Sequence, residues 1–310
     1  PYITIIGPIE TAARRISIMG VCNKFAGIVS PIIFAAVVLG KSQDILESVE
    51  SGLLSGIAKE AALNELIRGV ILPYSILSLL LLFIGLFIYK SKLPDINPEE
   101  ENEEVATANC NKTSVFQFPY LILGVLALFL HVGTQVVAID TIISYAGSMG
   151  VGLLDAKFFP SYTLGATILG YLLGIVLIPR YISQKNALIV CTVLGLILSF
   201  GVIFAHTNIS LLGHNAGLSI WFLASLGLPN SLIYAGIWPH AIRNLGRFTK
   251  IGSSMLVMAL CGNAILPLVY GKLADITSLQ TGYWVLIPCY IYLIWYAVFG
   301  YRIMNWSLKK

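Results

Sequence analysis

Charged residues are scarce in this chain. They make up 11% of the 310 residues, whereas about a quarter of an ordinary soluble domain is charged, and the mean hydropathy is +0.85. This balance excludes a water-soluble fold and predicts an all-α integral membrane protein. The net charge of +4 comes without any run of five basic residues, so we expect the lipid bilayer as a partner and no nucleic acid.

Motifs of membrane enzymes and pumps are also lacking. The five cysteines form no C-x-x-C pair, and the sequence contains no H-E-x-x-H, G-x-S-x-G or phosphate-binding G-x-x-x-x-G-K-[ST] pattern. We therefore expect no metal, no cofactor and no catalytic residue. The chain opens with Pro1 and no basic-then-apolar signal segment, which predicts a fragment or a processed protein.

Long apolar runs are what the sequence has instead. Eight of them are long enough to cross the ~30 Å hydrocarbon core as helices. Among all charged residues, only Lys24 and Asp140 fall inside these runs. The sequence therefore predicts eight transmembrane helices, at residues 17–40, 69–89, 119–147, 158–179, 187–205, 216–239, 251–271 and 283–301.

Basic residues concentrate in alternate loops. If the segment before the first span is cytoplasmic, all but five of the 19 lysines and arginines lie on the cytoplasmic side, as the positive-inside rule requires. This distribution predicts that both termini are cytoplasmic. The five exceptions are Lys41, Lys59, Arg68, Lys157 and Lys272.

An acidic, proline-containing segment at 91–118 has the composition of a cytoplasmic linker. It separates two predicted helices in residues 1–90 from six in residues 119–310. Transporters are commonly built from repeated helical bundles with the ligand site at their interface. We therefore expect residues 1–90 to be the last two helices of an N-terminal bundle, with four more helices preceding them.

Asp140 is a candidate functional residue because an ionisable group inside a span is costly. Asp140 and Tyr145 lie on neighbouring helical rows of small and polar residues, with Gln135 at their edge. This face either lines a site or hydrogen-bonds neighbouring helices, and the number of polar groups favours a site. His131 falls on the opposite side of the helix, which argues against a His–Asp pair.

The sixth span contains two prolines, Pro229 and Pro239, and each frees a backbone carbonyl, so we expect the helix to kink or unwind there. Asn230 offers a donor and an acceptor to a sugar hydroxyl, and Trp238 offers a flat apolar face to a sugar ring. Trp238 also suits an interfacial aromatic belt.

Asparagines mark two further spans. Asn263 precedes Pro267 in the seventh span, and Asn23 lies in the first, where the neighbouring Lys24 can extend to the membrane surface. Both asparagines are candidate ligands. Glycines on the fourth span are expected to allow close helix packing, namely Gly165, Gly170 and Gly174.

Nearly the whole chain carries segments typical of one transporter family. These are Pro1–Pro8, Asn23-Lys-Phe-Ala-Gly27, Gly133-Thr-Gln135 followed by Asp140–Tyr145, Pro229–Pro239, and Asn244–Ser254 running on to Gly271–Asp275. In these segments the chain resembles the fucose/glucose/galactose:proton symporter family of the major facilitator superfamily.

The resemblance implies a twelve-helix, proton-coupled sugar importer of the bacterial inner membrane. The fold would be two six-helix bundles, the first incomplete, with helices five to twelve present here. In the family, the acids credited with proton coupling lie on the first and fourth helices, which precede this chain. Gln135 stands where relatives commonly carry an acid or a glutamine, so it can bind a sugar without carrying a proton.

We therefore expect a monomeric secondary transporter that moves a hexose or deoxyhexose with a proton by alternating access. Asn23, Gln135, Asn230 and Asn263 would bond hydroxyls, and Trp238 and Tyr145 would bound the ring. Asp140 would bind a hydroxyl or exchange a proton. The alternatives are a membrane enzyme using Asp140 and a sugar sensor that does not transport.

Overall fold

The computed structural model describes residues 8–38, 71–91 and 112–306, together with the single positions 60, 64 and 68. Nearly all of these residues are helical, as predicted. Those within 1–24 and 97–310 form one compact unit, and those within 25–96 form a second. Residues 92–111 of the expected linker lie outside the described residues, so the division at 91–118 stays a prediction.

The smaller unit contains most of α1 (Ala12–Val38), beyond Lys24, and the whole of α2 (Ile71–Lys90). α2 is apolar on all sides and buries none of its side chains. A helix that is apolar all round and exposed all round is suited to lipid contact.

The larger unit contains the start of α1 and a series of further helices. Among the described residues, six short 3₁₀ turns flank or interrupt them, at Ile9–Thr11, Val115–Gln117, Gly246–Phe248, Ala259–Cys261, Tyr283–Val285 and Gly300–Arg302. The α-helices are α3 (Pro119–Asp140), α4 (Ile142–Ser148), α5 (Leu153–Ala156), α6 (Phe159–Leu177), α7 (Gln184–Phe204), α8 (Leu218–Ser225), α9 (Gly227–Ile242), α10 (Thr249–Met258), α11 (Gly262–Ile276), α12 (Leu279–Gly282) and α13 (Leu286–Val298).

Seven helical segments in the described part of the chain are long and apolar enough to cross a membrane. They match seven of the eight predicted spans, and the chain is an integral membrane protein. The remaining span, 17–40, falls largely within α1, and the count of eight stays a prediction. The seven segments are Ile71–Lys90, Pro119–Asp140, Phe159–Leu177, Gln184–Phe204, Leu218–Ile242, Gly246–Ile276 and Leu279–Arg302.

The third predicted span, 119–147, is interrupted. α3 ends at Asp140 and α4 begins at Ile142, with Thr141 between them. The Thr141 hydroxyl donates to the Val137 carbonyl at 2.6 Å. Asp140 therefore lies at a helix end and not in the middle of a continuous helix.

The proline-rich sixth span is also interrupted, as expected. α8 ends at Ser225 and α9 begins at Gly227, and Pro229 has no N–H to donate to the Ser225 carbonyl. At Pro239 the helix does not unwind, because α9 continues through it to Ile242. The break in this span therefore lies at one proline only.

Close contact between α6 and α9 depends on glycines. A Cβ atom at Gly227 would overlap the Thr163 carbonyl oxygen, and one at Gly170 would overlap the Ser231 hydroxyl. A Cβ at Gly174 would overlap Leu232, so the expected packing role of Gly170 and Gly174 is confirmed. Gly165 has nothing within 4 Å of such a Cβ, and its expected packing role is wrong.

A β-hairpin that was not predicted connects α7 to α8. β1 (Asn208–Leu211) pairs antiparallel with β2 (His214–Gly217). Leu212 and Gly213 form its two-residue turn, with φ values of 53° and 83°. Two-residue hairpin turns favour positive φ at both positions, so Gly213 supplies that conformation readily, whereas Leu212 adopts it against its steric preference.

Candidate functional site

The larger unit contains a cavity of about 960 Å³. Small-molecule sites have volumes of about 300–1,000 Å³, so this cavity is large enough for one sugar and water. Its walls come from α1, α3, α6, α9, α10, the 3₁₀ turn at Ala259–Cys261 and α11. The lining residues are Ile16, Ile18, Met19, Gly20, Cys22, Asn23, Lys24, Val132, Gln135, Val136, Ile139, Tyr171, Tyr234, Trp238, Val257, Leu260 and Asn263.

Part of the α1 wall follows the helical repeat. Ile16, Gly20 and Asn23 recur at spacings of four and three, which places them on one face of the helix. The ring of Tyr171 on α6 lies so close to Gly20 that a Cβ there would overlap it. Gly20 thus lets α6 approach α1, and this contact keeps Asn23 beside the cavity.

The α3 wall contains one polar side chain. Val132, Val136 and Ile139 line the cavity with Gln135, and the four residues occupy one helical face at spacings of three and four. Gln135 is half-buried. A carboxamide provides both donors and an acceptor, so it can pair with a hydroxyl in either sense.

An aromatic pair forms the α9 wall. The rings of Tyr234 and Trp238 are stacked, with centroids 5.7 Å apart and planes 29° apart. Trp238 is only 3% exposed, so its ring is held in place by packing, while Tyr234 is half-buried. A fixed flat aromatic surface suits the apolar face of a sugar ring.

Asn263 on α11 completes the polar lining. Its side chain is exposed, and Pro267 one turn later has no N–H to donate to its backbone carbonyl. The backbone at this point therefore offers an additional acceptor. Together Asn23, Gln135 and Asn263 place three carboxamides around the same cavity.

The structure brings together four of the seven predicted site residues, namely Asn23, Gln135, Trp238 and Asn263. Asn230, Tyr145 and Asp140 do not line this cavity. The Asn230 side chain is 1% exposed and accepts a hydrogen bond from the Tyr290 hydroxyl at 2.7 Å. The predicted substrate contacts of these three residues stay predictions.

Tyr145 and its neighbours form contacts between helices. The Tyr145 hydroxyl donates to Ser219 at 2.8 Å, and the hydroxyls of Thr141 and Tyr283 are 2.7 Å apart. A Cβ at Gly133 would lie 2.7 Å from Leu266. The small and polar face of this span therefore packs against other helices here, which is the alternative that the sequence left open.

Asp140 and His131 are separated as the helical repeat predicts. Asp140 is exposed at the end of α3, whereas His131 is fully buried and neither of its ring nitrogens has a hydrogen-bond partner among the described residues. The two side chains form no ion pair. Within the described part of the chain, no group of three or more His, Cys, Asp or Glu side chains could hold a metal.

Three further residues with a charged or phenolic side chain line the cavity and were not selected from the sequence as ligands: Lys24, Tyr171 and Tyr234. Lys24 was expected to extend to the membrane surface, but its half-buried side chain lines the cavity. Tyr234 lies one helical turn before Trp238, and this spacing was a usable signal. No sequence signal indicated Tyr171, because its position at the cavity depends on the approach of α6 to α1.

The fold is similar to that of a solved major facilitator superfamily transporter. The structure superimposes on a crystal structure of the major facilitator superfamily transporter FucP in the outward conformation with a TM-score of 0.75 and 23% identity, covering 96% of this chain and 70% of that one. A crystal structure of a single-residue variant of the Escherichia coli fucose:proton symporter FucP gives the same TM-score. No family model matches the chain.

Curated relatives agree with the resemblance seen in the sequence. The glucose/galactose transporter of Brucella abortus is 27% identical over 303 residues, which cover 97% of this chain and 66% of that protein. The L-fucose-proton symporter of Escherichia coli is 26% identical over 283 residues, covering 89% of this chain and 61% of that protein. The resemblance to the fucose/glucose/galactose:proton symporter family is thereby confirmed, and these relatives are transporters and not enzymes. The chain spans just under two thirds of the first of them.

Proposed function

We propose that this protein is a secondary active transporter that takes up a hexose or deoxyhexose together with a proton by alternating access. The cavity carries the proposal, because it combines three carboxamides with a stacked aromatic pair in one membrane-embedded space. That combination recognises hydroxyl groups and a ring face at once. The names of the sugar-transporting relatives support the same activity.

Asn23, Gln135 and Asn263 would hydrogen-bond sugar hydroxyls, and Trp238 with Tyr234 would stack on the ring. A bound sugar would shield these carboxamides from water, and an analogue that lacks a hydroxyl would then leave one of them unpaired. Direct contacts by Asn230, Tyr145 and Asp140, including proton exchange at Asp140, would require a conformation in which these side chains face the cavity.

Further parts of the proposal concern the whole protein. The distribution of basic residues supports cytoplasmic termini, and the bacterial sources of the relatives support a location in a bacterial inner membrane. A twelve-helix monomer of two six-helix bundles would contain this chain as helices five to twelve. Coupling acids on the preceding helices would then supply the proton pathway.

The proposal is tested by uptake of labelled hexoses into sealed vesicles, with and without an inward proton gradient. The protein used is this chain together with its upstream coding region. Accumulation that depends on the gradient and is competed by one sugar is the expected result. Sugar binding without accumulation would favour a sensor. The absence of both binding and uptake would refute the proposal.

A further inference from the structure

The first turns of α1 are packed into the larger unit. Ala12, Ala13 and Ser17 are each at most 1% exposed, although they lie near the start of the helix. The cavity lining on α1 begins at Ile16. Ala12 and Ala13 therefore lie between the cavity and the start of the helix.

Ala13 contacts three other parts of the chain. It forms a small apolar cluster with Ile178, which follows α6, with Ala187 on α7 and with Ala235 on α9. Its backbone N–H donates a hydrogen bond to the Gln184 side-chain oxygen at 2.8 Å. The first N–H groups of a helix have no partner within the helix, so Gln184 provides the acceptor that this N–H needs. The cluster and the hydrogen bond together hold the start of α1 against α6, α7 and α9.

Small residues continue this contact along the next two turns of α1. A Cβ atom at Gly174 on α6 would lie 3.2 Å from the Ser17 hydroxyl oxygen. That hydroxyl donates to the Ala13 carbonyl of its own helix at 2.8 Å, so it can face α6 without a hydrogen bond across the contact. One turn later, the ring of Tyr171 lies directly on Gly20. Ala13, Ser17 and Gly20 recur at spacings of four and three, which places them on one face of α1.

The contact is built from parts that are individually weak. We call it the α1 seam, and its central residues are Ala13, Ser17 and Gly20 on α1, with Tyr171, Gly174 and Gln184 opposite. Small residues let helices approach closely in a membrane, where van der Waals packing holds them together. None of these six residues is charged, so separating the two sides exposes no ionic group. Such a contact can form and separate at a modest cost in free energy.

The two sides of the α1 seam belong to different predicted bundles. α1 begins in residues 1–90, the expected end of an N-terminal bundle, whereas α6 and α7 lie in residues 119–310. The basic residues next to the seam, Arg14, Arg15 and Arg180, predict that this end of the helices is cytoplasmic. Rocking of one bundle against the other would therefore separate the seam.

We propose that the α1 seam is the cytoplasmic gate of the transporter. This inference rests on the proposed function, because alternating access requires that the cavity be closed at one end at a time. While the seam is packed, the cavity is closed at its cytoplasmic end, and separation of α1 from α6 and α7 releases the sugar. Tyr171 acts as a positioning residue, because its ring lies on Gly20 and also lines the cavity.

Labelling of a cysteine inside the seam tests the gate. Ser17→Cys places a thiol at a fully buried position, in the full-length protein with its other exposed cysteines replaced by serine. A membrane-impermeant thiol reagent is then applied to the cytoplasmic face of inside-out vesicles. We expect slow labelling without sugar and faster labelling in vesicles that transport sugar, because each transport cycle opens the gate. A contact that only supports the fold would give the same rate with and without sugar.

Two substitutions should weaken the seam. In Gly20→Ala the new methyl group would overlap the Tyr171 ring, and Gln184→Ala removes the acceptor of the Ala13 N–H. We expect each to raise the labelling rate without sugar about 2- to 10-fold, as the loss of one net hydrogen bond or of a similar contact allows. Gly27→Ala on the same helix is the matched control. A Cβ at Gly27 meets no atom within 4 Å among the described residues, so this variant should leave the rate unchanged.

Sugar-binding titrations establish that each variant is folded. A labelling rate that neither sugar nor the two substitutions change, in a protein that takes up sugar, would overturn the gate and leave the proposed function intact. An equal rise in rate for Gly27→Ala would also overturn the gate, since the effect would then not depend on the seam. The absence of sugar binding and uptake in the parent protein would overturn the proposed function and the gate with it.

Discussion

Removing the Tyr290 hydroxyl separates a structural role of Asn230 from a direct role in binding. In the structure this hydroxyl on α13 donates to the Asn230 side-chain oxygen on α9 at 2.7 Å. Both side chains are almost completely buried, and the Asn230 amide nitrogen has no partner among the described residues. Tyr290→Phe therefore leaves the whole Asn230 carboxamide unpaired and otherwise keeps the ring in place.

The size of the effect follows from the cost of an unsatisfied buried group. In soluble proteins that cost is about 1–3 kcal/mol, and in membrane helices the coupling between paired polar side chains averages about 0.6 and reaches about 1.7 kcal/mol. We expect Tyr290→Phe to lower the free energy of unfolding by about 1–2 kcal/mol. Asn230→Leu should cost a similar amount, because it removes the acceptor to which the buried Tyr290 hydroxyl donates.

The assay is reversible unfolding in mixed micelles, with sugar binding measured on the same preparations. The double variant Tyr290→Phe, Asn230→Leu should lose less stability than the two single losses added together, since neither partner is then left alone. Sugar affinity of Tyr290→Phe should stay within about twofold of the parent. Strictly additive losses would refute the structural pairing of the two side chains. A large loss of sugar affinity with unchanged stability would place Asn230 at the ligand.

Two further substitutions test the cavity and the helix packing. Gln135→Ala should weaken sugar binding about tenfold without lowering stability, since it removes one hydrogen bond from the cavity wall. Asn186→Ala removes an exposed carboxamide outside the cavity and should change neither affinity nor stability. Equal affinities in titrations of both variants would exclude Gln135 from the site. Gly227→Ala should destabilise the protein by about 1–3 kcal/mol because its methyl group would overlap the Thr163 carbonyl. Gly165→Ala should not destabilise it, because the space around Gly165 is open. Identical thermal unfolding of the two glycine variants would contradict the close contact between α6 and α9.

Part of the candidate site could be predicted from residue types and spacing alone. Asn23, Gln135, Trp238 and Asn263 were selected because polar or aromatic groups beside prolines and glycines in a membrane span indicate a ligand site, and all four line one cavity. Asn230 was selected on the same reasoning, yet it pairs with Tyr290. The same chemistry serves binding and helix association, so residue type does not distinguish the two.

The orientation of α3 illustrates what the sequence lacks. A soluble helix shows its inward face by its apolar side chains, but a membrane helix is apolar toward lipid and toward its neighbours alike. Hydropathy therefore does not say which side of α3 faces the cavity. A rotation of about 100° per residue decides that Gln135 lines it while Thr134 is buried against other helices.

The sequence by itself determined that this protein lies in a membrane, where most of its spans begin and end, and which transporters it resembles. Those properties depend on composition, on the length of apolar runs and on local motifs, all of which are encoded in short segments. Only the tertiary structure decided that Lys24 lies in the cavity with three carboxamides and that Tyr145 and Asn230 pair elsewhere. These contacts join residues that are far apart in the chain, and the packing of neighbouring helices determines which contacts form.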